Sequence, residues 1–274
     1  MSQTSTPFLR GLSLFIGWLA DRRIPTTLRP FVLGTFARFT GADASEAALD
    51  AKGYSSVSAF FVRRLKEGAR PLDADGRALV SPCDGKIQAV TKIERGVILQ
   101  AKGRPYTVDE ILGEPVPELE GGVAWTIYLG PRDYHRVHTP FDARLEHVRW
   151  LPGARYSVQP KVLAKRLKVL SINERAVLRL GTEFGHAYLV LVGALNVGRI
   201  RVVGVEHGTT PAAPLDRPRG SELGRFELGS TVVLLLPPGV ATPIEGLVPE
   251  TQVRLGRPIG RFEKASDGPS EETR

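Results

Sequence analysis

The chain predicts an α+β protein, with amphipathic helices at its N-terminus followed by a β-rich, barrel- or sandwich-like body. Up to about residue 70, apolar residues recur at three- and four-residue spacing, the pattern of one helix face. From Ala78 the period falls to that of short strands, punctuated by Gly, Pro and Asp. These runs follow one another too closely for helices between them, which favours antiparallel sheets closing on themselves or packing face to face.

Each element follows from local pattern. Over residues 7–22, Phe8, Leu12, Phe15, Ile16 and Leu19 share a helical face. The unbroken apolar run there, Leu14 to Ala20, is far short of the roughly 20 residues that cross a bilayer. No small-residue cleavage site precedes Asp21-Arg22-Arg23, so a secretory signal is not expected. A second segment, Leu28 to Phe39, carries Phe31, Val32, Phe36 and Phe39 with Arg29 and Arg38. Residues 1–40 hold five Arg against one Asp. Such helices lie in the plane of an anionic membrane, or pack on the protein's own core or a partner; the arginines and aromatics favour the membrane. Ser55 or Ser56 caps a third helix, with Val57, Phe60, Phe61 and Leu65 on one side, ending near Gly68. Arg63, Arg64 and Lys66 could meet phosphates, but read as a solvated face.

Strands are expected at 79–80, 86–93, 97–101, 123–129, 143–151, 176–180, 188–192, 197–203 and 231–236. Pro152 to Lys168 reads as a loop or short helix, and the polar tail after Phe262 as disordered. The domain division is a helical region 1–70, a β-rich domain 71–262 and a tail 263–274.

A net charge of +8 points to an anionic partner. The basic surplus sits mostly in the helical front and the body lacks an aromatic-basic ribonucleoprotein pattern, so a membrane surface is preferred to nucleic acid. Cys83 is the single cysteine, which rules out an intrachain disulfide and reads as a small buried residue. No metal site is expected, because the five histidines show no His-x-x-x-His or His-Glu-x-x-His spacing.

Three segments supply an acid, a base and a nucleophile: Ser81-Pro-Cys-Asp84-Gly85, Tyr134-His135-Arg-Val-His138-Thr-Pro140 and Leu228-Gly229-Ser230-Thr231. A serine hydroxyl needs a base to take its proton, and a histidine oriented by a carboxylate is the usual one. Asp84, His138 and Ser230 could fill those roles. Gly85 leaves room beside Asp84, and Gly229 leaves its carbonyl open to attack by Ser230. Taken singly, each has a plainer reading: a turn aspartate, a core histidine and a turn-to-strand Gly-Ser. His147 reads as strand surface, and His186 and His207 as loop residues. The Gly-x-Ser-x-Gly elbow of many hydrolases is absent.

From about Phe60 to the strand after Thr231 the chain resembles bacterial phosphatidylserine decarboxylases. The motifs are Phe60-Phe-Val-Arg63, Ser81-Pro-Cys-Asp-Gly85, Tyr128-Leu-Gly-Pro-Arg-Asp-Tyr-His-Arg-Val-His-Thr-Pro140, Asn173-Glu-Arg175, Thr182-Glu-Phe-Gly185, Val192-Gly-Ala194, Val197-Gly198 and Gly224-Arg-Phe-Glu-Leu-Gly-Ser-Thr231. Gly130, Thr139 and Arg199 depart from the usual family residues.

The resemblance implies a self-processing enzyme. Asp84, His138 and Ser230 would form its maturation triad, cutting the Gly229–Ser230 bond into a β chain 1–229 and an α chain 230–274. Its cofactor would be a covalent pyruvoyl group derived from Ser230, an electron sink for decarboxylating phosphatidylserine to phosphatidylethanolamine in phospholipid biosynthesis. His135 would help decarboxylation or reprotonation. The implied partners are phosphatidylserine in the bilayer, an anionic membrane surface at the cytoplasmic face of the cell membrane and a second copy of the processed enzyme. Three other readings fit the residues: a sister enzyme for another serine-headed lipid, a non-enzymatic membrane-bound module, and a serine hydrolase using the triad on outside substrates.

Overall fold

The computed structural model describes residues 17–100, 104–163, 166–194, 200–227 and 230–263. The helix expected over 7–22 is described only from residue 17, and is helical to Asp21. Residues 197–199 of one expected strand and the tail after residue 263 lie outside the described residues.

Among the described residues the helices are short apart from α1 (Arg29–Thr40): α2 (Val57–Phe61), α3 (Val108–Leu112), α4 (Pro160–Leu163) and α5 (Val169–Ile172). Strands β1 (Ala78–Val80), β2 (Gly85–Lys92), β3 (Val97–Gln100), β4 (Arg104–Thr107) and β5 (Val123–Leu129) come first. Then follow β6 (Arg136–His138), β7 (Ala143–Leu151), β8 (Arg175–Thr182), β9 (Gly185–Gly193), β10 (Ile200–Val202) and β11 (Leu215–Arg217). The last are β12 (Glu222–Phe226), β13 (Ser230–Leu236), β14 (Ala241–Pro243), β15 (Gln252–Val253) and β16 (Pro258–Phe262).

Eight of these form one antiparallel sheet in the order β11-β7-β8-β9-β13-β5-β2-β15. The sheet is open, so of the two expected forms, barrel or sandwich, the body takes the sandwich-like one. It ends on β11 and β15, strands of three and two residues that are too short to carry a ladder further.

Strand β13 shows why this sheet is apolar throughout. Side chains alternate across a strand. Val232, Leu234 and Leu236 join one core with Ile127, Leu129 and Leu191, whereas Val233 and Leu235 join a second core with Val190 and Val192. The first face is covered by the sheets β10-β12-β6 and β1-β16-β14, through Val137, Leu223, Phe226, Leu79 and Ile259. The β3–β4 hairpin and α3–α5 cover the second, through Ile98, Tyr106, Ile111 and Leu170. A strand covered on both faces loses the polar-out alternation and reads as a continuous apolar run. By parity Ser230 belongs with Val232 and Leu234, on the face that carries β6, which holds His138.

The helical front packs on this body. Leu33 and Ala37 of α1 are buried in a cluster with Tyr54 and Phe60, and Phe36 meets the Phe60 ring edge-on at 6.2 Å. Phe36 therefore faces the core, while Phe31 and Phe39 are 75% and 91% exposed.

The third helix is much shorter than expected. Ser56 caps it, accepting from the Ala59 amide at 3.1 Å, and Phe60 and Phe61 bury. It stops because the Val62 carbonyl is taken by Arg136, from Nε at 3.0 Å and Nη2 at 2.8 Å, and Leu65 bridges to Ala47 instead. Five residues cannot hold a helix alone, so α2 depends on this packing.

Candidate active site

Asp84 stands at the entry to β2 and is buried. The turn from Arg254 to Arg257 presses against its loop: Leu255 donates its amide to Asp84 Oδ1 at 2.9 Å, and Ser81 donates its own amide to the Arg257 carbonyl at 2.7 Å. Gly85 must be glycine here, since a Cβ would lie 2.5 Å from the Tyr128 carbonyl oxygen. The Asp84 carboxylate is gripped by Arg70, whose Nε donates to Oδ1 and Oδ2 at 2.9 and 3.0 Å and whose Nη2 donates to Oδ2 at 2.7 Å. Arg70 also spans to Glu46 at 3.0 and 2.8 Å. Burial pulls the Arg70 pKa down, but its bonds to Asp84 and Glu46 outweigh that and raise it, so it stays a cation.

His138 closes β6, and its amide donates to the Pro82 carbonyl at 2.8 Å, two residues before Asp84. Its ring partner is not Asp84, however. Nδ1 lies 2.8 Å from the Gly220 carbonyl, which can only accept, so Nδ1 carries the proton. Nε2 keeps its lone pair and receives the Tyr134 hydroxyl at 3.3 Å. Burial lowers the pKa of His138, so the ring is neutral near pH 7. Burial also pushes Tyr134 up to about 12, so it keeps its proton. The sequence suggested a carboxylate orienting the base; a backbone carbonyl does so, because Arg70 has taken the carboxylate.

His135 is fully buried, with Nδ1 2.8 Å from the Asp133 carbonyl and the Phe61 ring at a centroid distance of 4.0 Å. Its Nε2 has no hydrogen-bond partner among the described residues. Burial drives its pKa to about 3, so it enters the site as a neutral acceptor.

Ser230 opens β13 between Leu129 of β5 and Gly193 of β9, fully buried, with its Oγ unbonded. Leu129 leads through the Gly130–Asp133 turn, closed by a 2.7 Å bond from the Gly130 amide to Asp133 Oδ2, straight into His135. Residue 226 of β12 donates its amide to the His135 carbonyl at 3.0 Å. The His138 amide thus ties β6 to the Asp84 loop, and the strand partner of Ser230 leads into the His135 segment, although no hydrogen bond joins Ser230, His138 and Asp84 to one another among the described residues. Gly229, the other side of the expected cleavage bond, lies outside those residues.

Other expectations have plain outcomes. Cys83 is buried, and burial raises its thiol pKa. His147 lies on β7; His186 sits in β9, not a loop, 3.2 Å from Glu146. His207 packs on Trp150. Arg64 and Lys66 are exposed as expected, but Arg63 is buried. Sequence reasoning missed Arg70, Tyr134 and Gly220; only Tyr134, four residues before His138 in a chemistry-bearing segment, carried a signal.

A buried serine with an unbonded hydroxyl, two neutral buried histidines and a clamped carboxylate are the groups that proton transfer in a closed environment uses. A family model described as phosphatidylserine decarboxylase matches residues 57–261. The chain is 41% identical over 266 residues to a phosphatidylserine decarboxylase proenzyme of Xanthomonas axonopodis pv. citri, covering 92% of this chain and 95% of that protein. It is 38% identical over 262 residues to one of Myxococcus xanthus, covering 91% and 93%. A third, of Stutzerimonas stutzeri, is 38% identical over 267 residues, covering 91% and 90%. The chain belongs to the phosphatidylserine decarboxylase family.

Proposed function

We propose that the chain cuts itself at Gly229–Ser230 and then decarboxylates phosphatidylserine to phosphatidylethanolamine and CO₂ with a pyruvoyl group made from Ser230. The observation that carries this reading is the state of Ser230: a fully buried hydroxyl at a strand entry, with no hydrogen-bond partner among the described residues. A buried polar group left unpaired is costly unless it has work to do.

In the first stage His138 Nε2 takes the Ser230 proton, and Oγ attacks the Gly229 carbonyl, replacing the peptide bond by an ester. Elimination frees the Gly229 carboxylate and leaves an unsaturated residue at 230. Water converts that residue to the ketone and releases ammonia. Neutral His138 suits this role, and the Gly220 carbonyl holds the needed tautomer. Asp84 contributes its negative charge from within electrostatic reach of His138.

Ser230 fits as the source of the group, being the residue that would start the new chain. Once formed, the pyruvoyl ketone supplies an electron sink for the carbanion left by loss of CO₂. His135 manages the proton of that second stage. His135 Nε2, neutral and without a hydrogen-bond partner among the described residues, accepts a hydrogen bond from the substrate amine and positions the proton that returns to carbon. Closure of the site keeps water from competing for that carbon.

A membrane-resident substrate accounts for the exposed apolar residues of the front: Trp18, Leu28, Phe31 and Phe39. No helix of the described residues is long and apolar enough to cross a membrane, and we assign these residues to peripheral binding at the anionic cytoplasmic face. The processed α and β chains stay together through β13, which pairs with β5 and β9 of the other fragment, and two such units form a dimer.

The deciding experiment is intact-mass spectrometry with a decarboxylation assay on phosphatidylserine vesicles. Two fragments split after residue 229, the smaller lacking the mass of ammonia relative to a serine-started peptide, are expected, with a single intact chain for Ser230→Ala. An uncut wild-type chain with no CO₂ release would overturn the reading.

A further inference from the structure

Arg63 is a buried cation whose guanidinium makes no ion pair among the described residues. It is 3% exposed, its Nε has no hydrogen bond, and its Nη2 reaches only the Arg132 carbonyl at 3.5 Å, the outer limit of a bond. The Phe60 ring at 5.1 Å gives weak cation–π support. The other buried arginines are fully engaged. Arg136 holds Glu222 at 2.7 and 2.8 Å and the Val62 carbonyl. Arg175 spends its donors on the carbonyls of Glu110, Ile111, Ser171 and Asn173. The carboxylates in electrostatic reach of Arg63 include Asp84 and Glu46, both already turned to Arg70. Withdrawing a guanidinium from water with its donors unspent is costly, and an arriving anion removes that cost.

Its position says which anion. Arg63 follows Phe61, whose ring packs on His135, and its charge is felt by that histidine. We propose that Arg63 binds the phosphodiester of the phospholipid headgroup, anchoring it so that the amine faces His135 and residue 230; this rests on the decarboxylase reading above. A serine-headed phospholipid also carries a carboxylate, but that charge leaves as neutral CO₂. A cation clamped on it would stabilise the ground state more than the transition state. The phosphodiester keeps its charge throughout, and a guanidinium fork matches its paired oxygens.

The test compares wild type, Arg63→Met and Arg63→Lys as matured enzymes on phosphatidylserine in mixed micelles. Inhibition is read with glycerophosphocholine, a phosphodiester without carboxylate, and with glycine betaine, a carboxylate without phosphodiester; neither has an amine that can condense with a ketone. Self-cleavage and trapping of the ketone by ammonium with cyanoborohydride verify folding. For Arg63→Met, KM and the glycerophosphocholine inhibition constant are expected to rise together by at least about tenfold. Its kcat should stay within about threefold, and betaine inhibition should not change. If Arg63→Met fails to mature, Arg63→Lys carries the test: it keeps the charge and loses the fork, so KM should rise a few-fold. An unchanged KM in a matured variant overturns the proposal, as does a fall in kcat with loss of betaine rather than glycerophosphocholine inhibition, which would assign Arg63 to the carboxylate. A wild type that releases no CO₂ from phosphatidylserine instead removes the activity beneath it.

Discussion

Arg70 and Asp84 form a clamp that fixes the acidic member of the site from outside the β body. Three hydrogen bonds of 2.7 to 3.0 Å join them, and the same guanidinium reaches Glu46 in the helical front. Breaking a buried pair leaves one charge uncompensated and costs about 3–5 kcal/mol. Arg70→Met is therefore expected to lower unfolding stability by that order and to accumulate uncut chain. Glu46→Gln, at a partly exposed carboxylate, leaves the Asp84 contacts in place and should cost less than about 1 kcal/mol. Denaturant melts and the cut fraction on a gel measure both; equal effects from the two variants would refute the clamp.

His138 makes self-cleavage depend on pH in a stated direction. Burial lowers its pKa below 6.5, and only the neutral ring can take the Ser230 proton. The cleavage rate should stay level from pH 8 through 6.5 and fall only below that. A time course of freshly synthesised precursor across pH 5–8 reads it directly. A half-maximal rate at or above pH 6.5 would contradict a buried neutral base.

His135 ties stability to pH. Its folded pKa is about 3 against about 6.5 for a free histidine. Between those values the unfolded chain binds the extra proton, so this contribution is fully present above pH 6.5 and is lost as pH falls toward 3. The limiting loss is on the order of 5 kcal/mol. His135→Asn keeps a donor for the Asp133 carbonyl and removes the titration, so its melting temperature should fall less steeply between pH 6.5 and 4 than that of wild type. Parallel slopes would show that His135 is not a neutral buried group.

What was legible in the sequence follows the range of the forces involved. Strands β5 and β7 were readable to their ends, because apolar runs and turn residues are local signals. Strand β6 was not: it is three residues of a His-Arg segment, made a strand by β12 more than eighty residues later. The His138 and Ser230 segments were visible as chemistry, but the carbonyl that sets the tautomer of His138 comes from Gly220, which no spacing rule reaches. Arg63 misled because a charge run is ordinarily solvated; its backbone turns in behind Phe60 and Phe61, and the side chain follows.

The exposed face of α1 carries the membrane prediction. Phe31 and Phe39 lie about two turns apart and point to solvent, while Leu33, Phe36 and Ala37 hold the helix to the core. Replacing both outward rings by serine removes no core contact, so unfolding stability should stay within about 0.5 kcal/mol of wild type. Each phenylalanine entering a bilayer interface contributes roughly 1.5–3 kcal/mol, so binding to phosphatidylserine-containing vesicles should fall by at least about tenfold. Co-sedimentation at physiological salt measures this. Full binding by the double variant would assign α1 to a protein partner, and the membrane contact would then have to come from elsewhere on the chain.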